Sequence, residues 1–201
     1  MALLKSGLGR AGALGCLEQT GSPWRRRWYL LLLLVVVMAL VGPARAESSR
    51  EYQIKAAFLF NFAQFVKWPG DSFTSADAPF CIGILGDDPF GSTLEQITRG
   101  EAIDNHRLTV VRAQRIEDLK ACQMIFVSRS EGDHLEQILS QLDSKPILTV
   151  SEVNSFAHNG GDIGFYLMDG KVRFEINPQS ARRCGLKISS QLLNLGKVVE
   201  P

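Results

Sequence analysis

Apolar side chains recur every three to four residues through "EYQIKAAFLFNFAQFVKW", residues 51 to 68, the repeat that one face of an α-helix imposes. At about 100° per residue, Ile54, Phe58, Phe62 and Phe65 share a face, with Leu59 and Val66 beside them, and Pro69-Gly70 ends the helix. Gln53, Gln64 and Lys67 occupy the other side, yet Phe60 falls among them and Trp68 lies close by. Aromatics on a polar stripe suit a partner or dimer surface. The competing reading is a helix wrapped on both sides by its own domain.

Beyond a polar stretch, "DSFTSADAPF", the pattern alternates between strand and helix. Residues 81 to 85 read as a buried strand, and Asp88 as N-cap with Pro89 at the first helical position predicts a helix to about Thr98. "HRLTVVRA" and "CQMIFVS" predict two further strands, with a short helical turn from Ile116 to Lys120 between them. Ser130 and Asp133 resemble a capping box for a helix to about Leu142, with Leu135, Ile138, Leu139 and Leu142 as its apolar stripe. Lys145-Pro146 stops it, and "ILTVS" is a fourth buried strand. "DIGFYLM" and "KVRFEI" flank Asp169-Gly170, a two-residue hairpin signal. "PQSARRCG" then predicts a short helix and "ISSQLLNLGKVV" a last one, with Ile188, Leu192, Leu195 and Val199 facing inward. The alternation predicts an α/β fold, a three-layer sandwich with a largely parallel sheet plus an antiparallel hairpin.

The N-terminus follows a different pattern. Arg25, Arg26 and Arg27 precede an apolar run from Tyr29 to Val41, and Ala44-Arg45-Ala46 follows as a small-residue cleavage motif. Residues 1–46 are therefore expected to be a cleaved signal peptide, leaving 47–201 as a single exported domain. The apolar run is shorter than the roughly 20 residues a spanning helix needs, and Gly42-Pro43 interrupts it. Residues 1–46 hold six of the 22 basic and one of the 21 acidic residues, so the remainder carries 16 bases against 20 acids, formally −4. A mildly acidic domain without a basic tract is a poor nucleic-acid binder. About 155 residues remain, enough for one domain with a core.

Cys16 leaves with the leader. Cys81 and Cys122 each open a predicted core strand, and neighbouring strands bring their ends within disulfide reach, so these two are expected to pair and Cys184 to remain free. The cysteines and the histidines at 106, 134 and 158 show no metal-ligand spacing, and no metal or other cofactor is expected. No catalytic motif emerges, and the chain does not read as an enzyme. "CIGILGDDPFG" has the strand, glycine loop and helix of a phosphate site, making Gly86, Asp87, Asp88 and Gly91 a possible ligand loop. Two carboxylates already serve the helix start, however, which favours a structural turn.

Taken in order, "IKAAFLFNFAQFVKWP", "FCIGILGDDPFG", "ACQMIFVS", "ILTVSE", "GGDIGFYLMDGKVRFEIN" and "ARRCGLKISSQLLNLGKVV" resemble the YfiR-like family of exported bacterial proteins. The resemblance covers Tyr52 to Val199. It implies a dimeric periplasmic repressor that binds the sensory region of an inner-membrane diguanylate cyclase, keeps cyclic di-GMP and biofilm output low, and is released by redox or envelope stress. It also implies the Cys81–Cys122 disulfide. A second family disulfide would lie between Val153 and Phe165, where this chain has no cysteine, and Cys184 has no counterpart. The alternative is an envelope small-molecule binding protein using the loop from Gly86 to Gly91.

Overall fold

The structure, a computed structural model, describes residues 48–200 and Arg27. Apart from Arg27, the predicted leader and its cleavage site lie outside the described residues. Helix α1 covers residues 48–65 and runs into β1, Val66–Lys67. There follow β2 (Phe80–Leu85), α2 (Thr93–Thr98), β3 (Ala102–Ile103), β4 (His106–Ala113), β5 (Met124–Val127), α3 (Leu135–Leu142) and β6 (Leu148–Ser151). The chain closes with the β7 (Ile163–Met168) and β8 (Lys171–Ile176) hairpin, α4 (Pro178–Arg183), β9 (Lys187–Ile188), α5 (Ser190–Leu195) and β10 (Lys197–Val198). Among the described residues no helix is long and apolar enough to cross a membrane.

Eight strands form one sheet in the order β10-β8-β7-β6-β5-β2-β4-β3. The β7–β8 and β3–β4 pairs are antiparallel and the other neighbours parallel. Strand alternation sends Phe80, Ile82, Ile84, Met124 and Phe126 to one face, where Ala56, Leu59, Phe62 and Ala63 of α1 cover them. Leu85, Ile125 and Val127 point to the other, under Leu135, Ile138 and Leu142 of α3. This is the expected three-layer α/β sandwich with its antiparallel hairpin. Asp169 and Gly170 turn the hairpin with φ of 52° and 68°, the left-handed pair that an Asp-Gly turn supplies.

Four local expectations change. The buried face of α1 is rotated by about one residue: Lys55, Ala56, Leu59, Phe62, Ala63 and Val66 are buried, while Ile54 is exposed. Helix α2 starts at Thr93 because the Asp88 carboxylate accepts the Phe90 N–H at 2.7 Å, spending the cap on a turn that buries the Phe90 ring. Ser130 caps no helix; its hydroxyl accepts the Asp87 N–H at 3.0 Å, and a 3-10 turn over Arg129–His134 leads into α3. The last predicted helix is a strand, a short helix and a strand. Ser189 caps α5 through the Leu192 N–H, and Gly196 lets the backbone approach the sheet where a Cβ would collide with Phe174 and Ile176. Val199 is buried as expected, but Leu195 points to solvent.

Candidate functional site at the strand ends

Open α/β sheets present ligands at the carboxyl ends of their strands. Here Leu85, Val127 and Ser151 lie side by side in register, so the residues that follow them share one rim. The N-terminal half of α1 closes over that rim. Lys55 heads the stripe of Leu59, Phe62 and Val66, which buries its stem. Its ammonium is hydrogen-bonded to Glu51 one turn earlier and to Glu152 just beyond β6. Tyr52 donates its hydroxyl to both oxygens of Glu152, at 3.0 and 3.2 Å, and Arg129 Nη2 approaches the same carboxylate at 3.6 Å. The Lys55 ammonium also lies 4.6 Å from the centroid of the Tyr52 ring. Burial, reinforced by the neighbouring Glu152 carboxylate, pushes the Tyr52 phenol up to about 12, so it is a proton donor throughout the physiological range.

Two cations thus face two carboxylates, and the site is filled by its own charges. Glu152 is 5% exposed, so loss of Lys55 would leave a carboxylate in the interior with the more distant, solvent-exposed Arg129 as its nearest cation. Phe90 seals the cluster from the β2–α2 loop, packing edge-on against Tyr52 and Phe126 at 5.7 and 4.8 Å. These contacts tie the N-terminal half of α1 to the carboxyl end of β6.

The predicted ligand loop is adjacent, and several of its polar groups are engaged within the fold. Gly86, with φ of 84°, sits where a side chain would run into Ser130 and Glu131. The Asp87 and Phe90 amides are taken by Ser130 and Asp88. Arg112 of β4 donates to Asp88 at 2.6 Å, to the Gly91 carbonyl at 2.7 Å and to Glu95. That hydrogen bond holds the Glu95 carboxyl below its usual range. The Asp87 and Phe90 amides and the Asp88 carboxylate therefore serve the fold, while the Asp87 side chain is exposed.

A family model described as YfiR/HmsC-like matches residues 52–197, spanning all of this cluster but Glu51, the loop and both halves of the sheet. The chain belongs to the YfiR/HmsC-like family. No individually curated protein matches it. YfiR-like proteins are periplasmic regulators.

The opposite end of the sheet holds the cysteine pair of this YfiR-like domain. Cys81 and Cys122 form a disulfide with Cα atoms 4.5 Å apart. Gln123 beside it accepts the Cys81 N–H with its side chain at 2.8 Å and donates to the Ser72 carbonyl at 2.8 Å. Trp68 donates its indole N–H to the Gln123 carbonyl at 2.9 Å and meets Phe80 edge-on at 4.9 Å, so it is engaged within its own domain. Phe60 is half-buried against the α1-side core. The structure does not bring Phe60 and Trp68 to the strand-end cluster.

Cys184 is a half-buried free thiol, pushed up by burial and by the nearby Asp162 carboxylate. Asp162 is itself 1% exposed; one oxygen accepts the Thr149 N–H and hydroxyl, both at 2.8 Å, and the other has no hydrogen-bond partner among the described residues. Burial pushes its carboxyl up to about 6 despite those hydrogen bonds. Tyr52, Lys55, Glu152 and Asp162 escaped the sequence reading. The one signal available was Lys55 at i, i+4, i+7 spacing with Leu59 and Phe62.

Proposed function

We propose that this chain is a noncatalytic periplasmic regulator that binds the periplasmic sensory region of an inner-membrane diguanylate cyclase and lowers cyclic di-GMP. The family match over residues 52–197 carries the reading. The strand-end loop, clamped by Arg112, Ser130 and Asp88, supports it by weighing against the small-molecule alternative at that position. The same reading includes a homodimer, with Phe60 as an aromatic available at its surface. Deleting the gene is expected to raise cellular cyclic di-GMP and biofilm formation, and re-expression to restore both. Unchanged cyclic di-GMP in the deletion strain, measured by mass spectrometry, would discard the cyclase as its target. Sedimentation of the exported protein and of Phe60→Ala tests the dimer separately, a monomeric wild type being the result against it.

A further inference from the structure

The sheet edge at β8 is only partly covered. β10 pairs with β8 at Glu175 and Ile176 alone, so among the described residues the outer edge of residues 171–174 has no strand beside it. Between this edge and α1 lies a cleft of about 590 Å³. Its walls are held to each other by Phe58 and Phe62 of α1 interlocking with Phe165 and Phe174 of the hairpin, ring centroids 5.1 to 6.1 Å apart. Ile54, Phe58, Leu167 and Val172 line it, and Ile54 and Leu167 are 39% and 55% exposed. Arg50, Lys171 and Arg173 stand on the rim, none in an ion pair among the described residues. Of the two rim carboxylates, Glu51 is already bound to Lys55, which leaves Asp169 against three cations.

We infer that this cleft docks an extended, acidic and apolar segment of a protein partner, added as a strand along the free edge of β8. An unpaired strand edge offers backbone donors and acceptors to an extended chain, and pockets for alternate side chains supply selectivity. The aliphatic lining takes the apolar side chains, and the excess of three cations over the one free carboxylate selects acidic neighbours in a domain that is otherwise net acidic. A small inorganic anion would use the cations and leave Ile54 and Leu167 wet. The inference rests on the regulator reading and specifies the surface and chemistry of its partner contact.

A photo-crosslinking residue placed at Leu167 of the full exported chain, in living cells, tests it. The crosslinked peptide, sequenced by mass spectrometry, should come from the periplasmic part of another protein and carry acidic residues among apolar ones. Lys171→Glu with Arg173→Glu should lower the yield about tenfold, equivalent to about 1.4 kcal/mol, with an unchanged thermal midpoint because both side chains are exposed. Crosslinks only to a second copy of this chain, to a neutral or basic segment, or to no protein overturn the inference, as does an undiminished yield from the charge-reversed variant. The two readings fail separately. If deletion changes cyclic di-GMP but Leu167 captures nothing, the cleft falls and the regulator stands. If Leu167 captures an acidic apolar segment while cyclic di-GMP is unaffected, the cleft stands and the cyclase is not the target.

Discussion

At the carboxyl ends of β2, β5 and β6 the sheet is closed by charge, Lys55 and Arg129 against Glu51 and Glu152. At the amino ends it is closed by the Cys81–Cys122 bond and the neutral amide of Gln123. Both ends tie segments far apart in the chain, 97 residues for Lys55 to Glu152 and 41 for the cysteines. Their vulnerabilities differ. A buried ion pair fails when one partner is removed, because the other cannot be resolvated cheaply. A disulfide fails when the compartment becomes reducing, and acts largely by restricting the unfolded chain. Charge thus secures the end next to the open cleft, and covalent chemistry the end farther from it.

Breaking the charged end should have the largest effect. Lys55→Met leaves Glu152 without its close cation and is expected to cost about 3–5 kcal/mol in urea unfolding, with Glu152→Gln in the same chain recovering part of the loss. No loss in the single variant would mean that solvent reaches Glu152. Next comes the disulfide, where Cys81→Ala with Cys122→Ala should cost about 2–4 kcal/mol. Adding reductant should impose a comparable cost on wild type and none on this variant.

Asp162 sharpens the comparison, since it places one buried titrating acid near the amino end of β6, with Arg183 close by. Its folded value of about 6 lies above the ordinary 3.8, so the native state binds the proton more tightly than the unfolded chain. Stability should therefore rise as pH falls from above 6 toward 4, by up to about 1.4 kcal/mol per unit. Asp162→Asn should flatten that part of the pH–stability curve, and a slope retained in the variant would assign it to another group. The smallest effect is expected from Arg112→Ala. Its contacts are partly exposed, so global stability should change by no more than about 1 kcal/mol, while amide exchange at residues 88–92 accelerates.

The six longer strands and the hairpin were legible because each rests on a local signal, such as the run "ILTVS" or the pair Asp169-Gly170, and the cysteine pair because both residues open core strands. Boundaries that depend on side chains from elsewhere were not. Asp88 and Ser130 both have the chemistry of helix caps, and each is diverted, Asp88 to a turn anchored by Arg112 and Ser130 to the Asp87 amide. The final segment reads as one amphipathic helix, but "LGKVV" leaves it to pair with β8, a gain in backbone hydrogen bonding that periodicity cannot register.

The sequence by itself determined the layered α/β class, the reversal into an antiparallel hairpin and the family, because periodicity, turn residues and ordered motifs are properties of the chain alone. Only the tertiary structure decided that Lys55 is buried against Glu152, that Asp88 is spent on a turn in the glycine loop, and that β8 keeps a free edge beside a rim where cations outnumber carboxylates. Those outcomes depend on which strands become neighbours and in what register. Alternation specifies which face a residue occupies and leaves open what lies across from it.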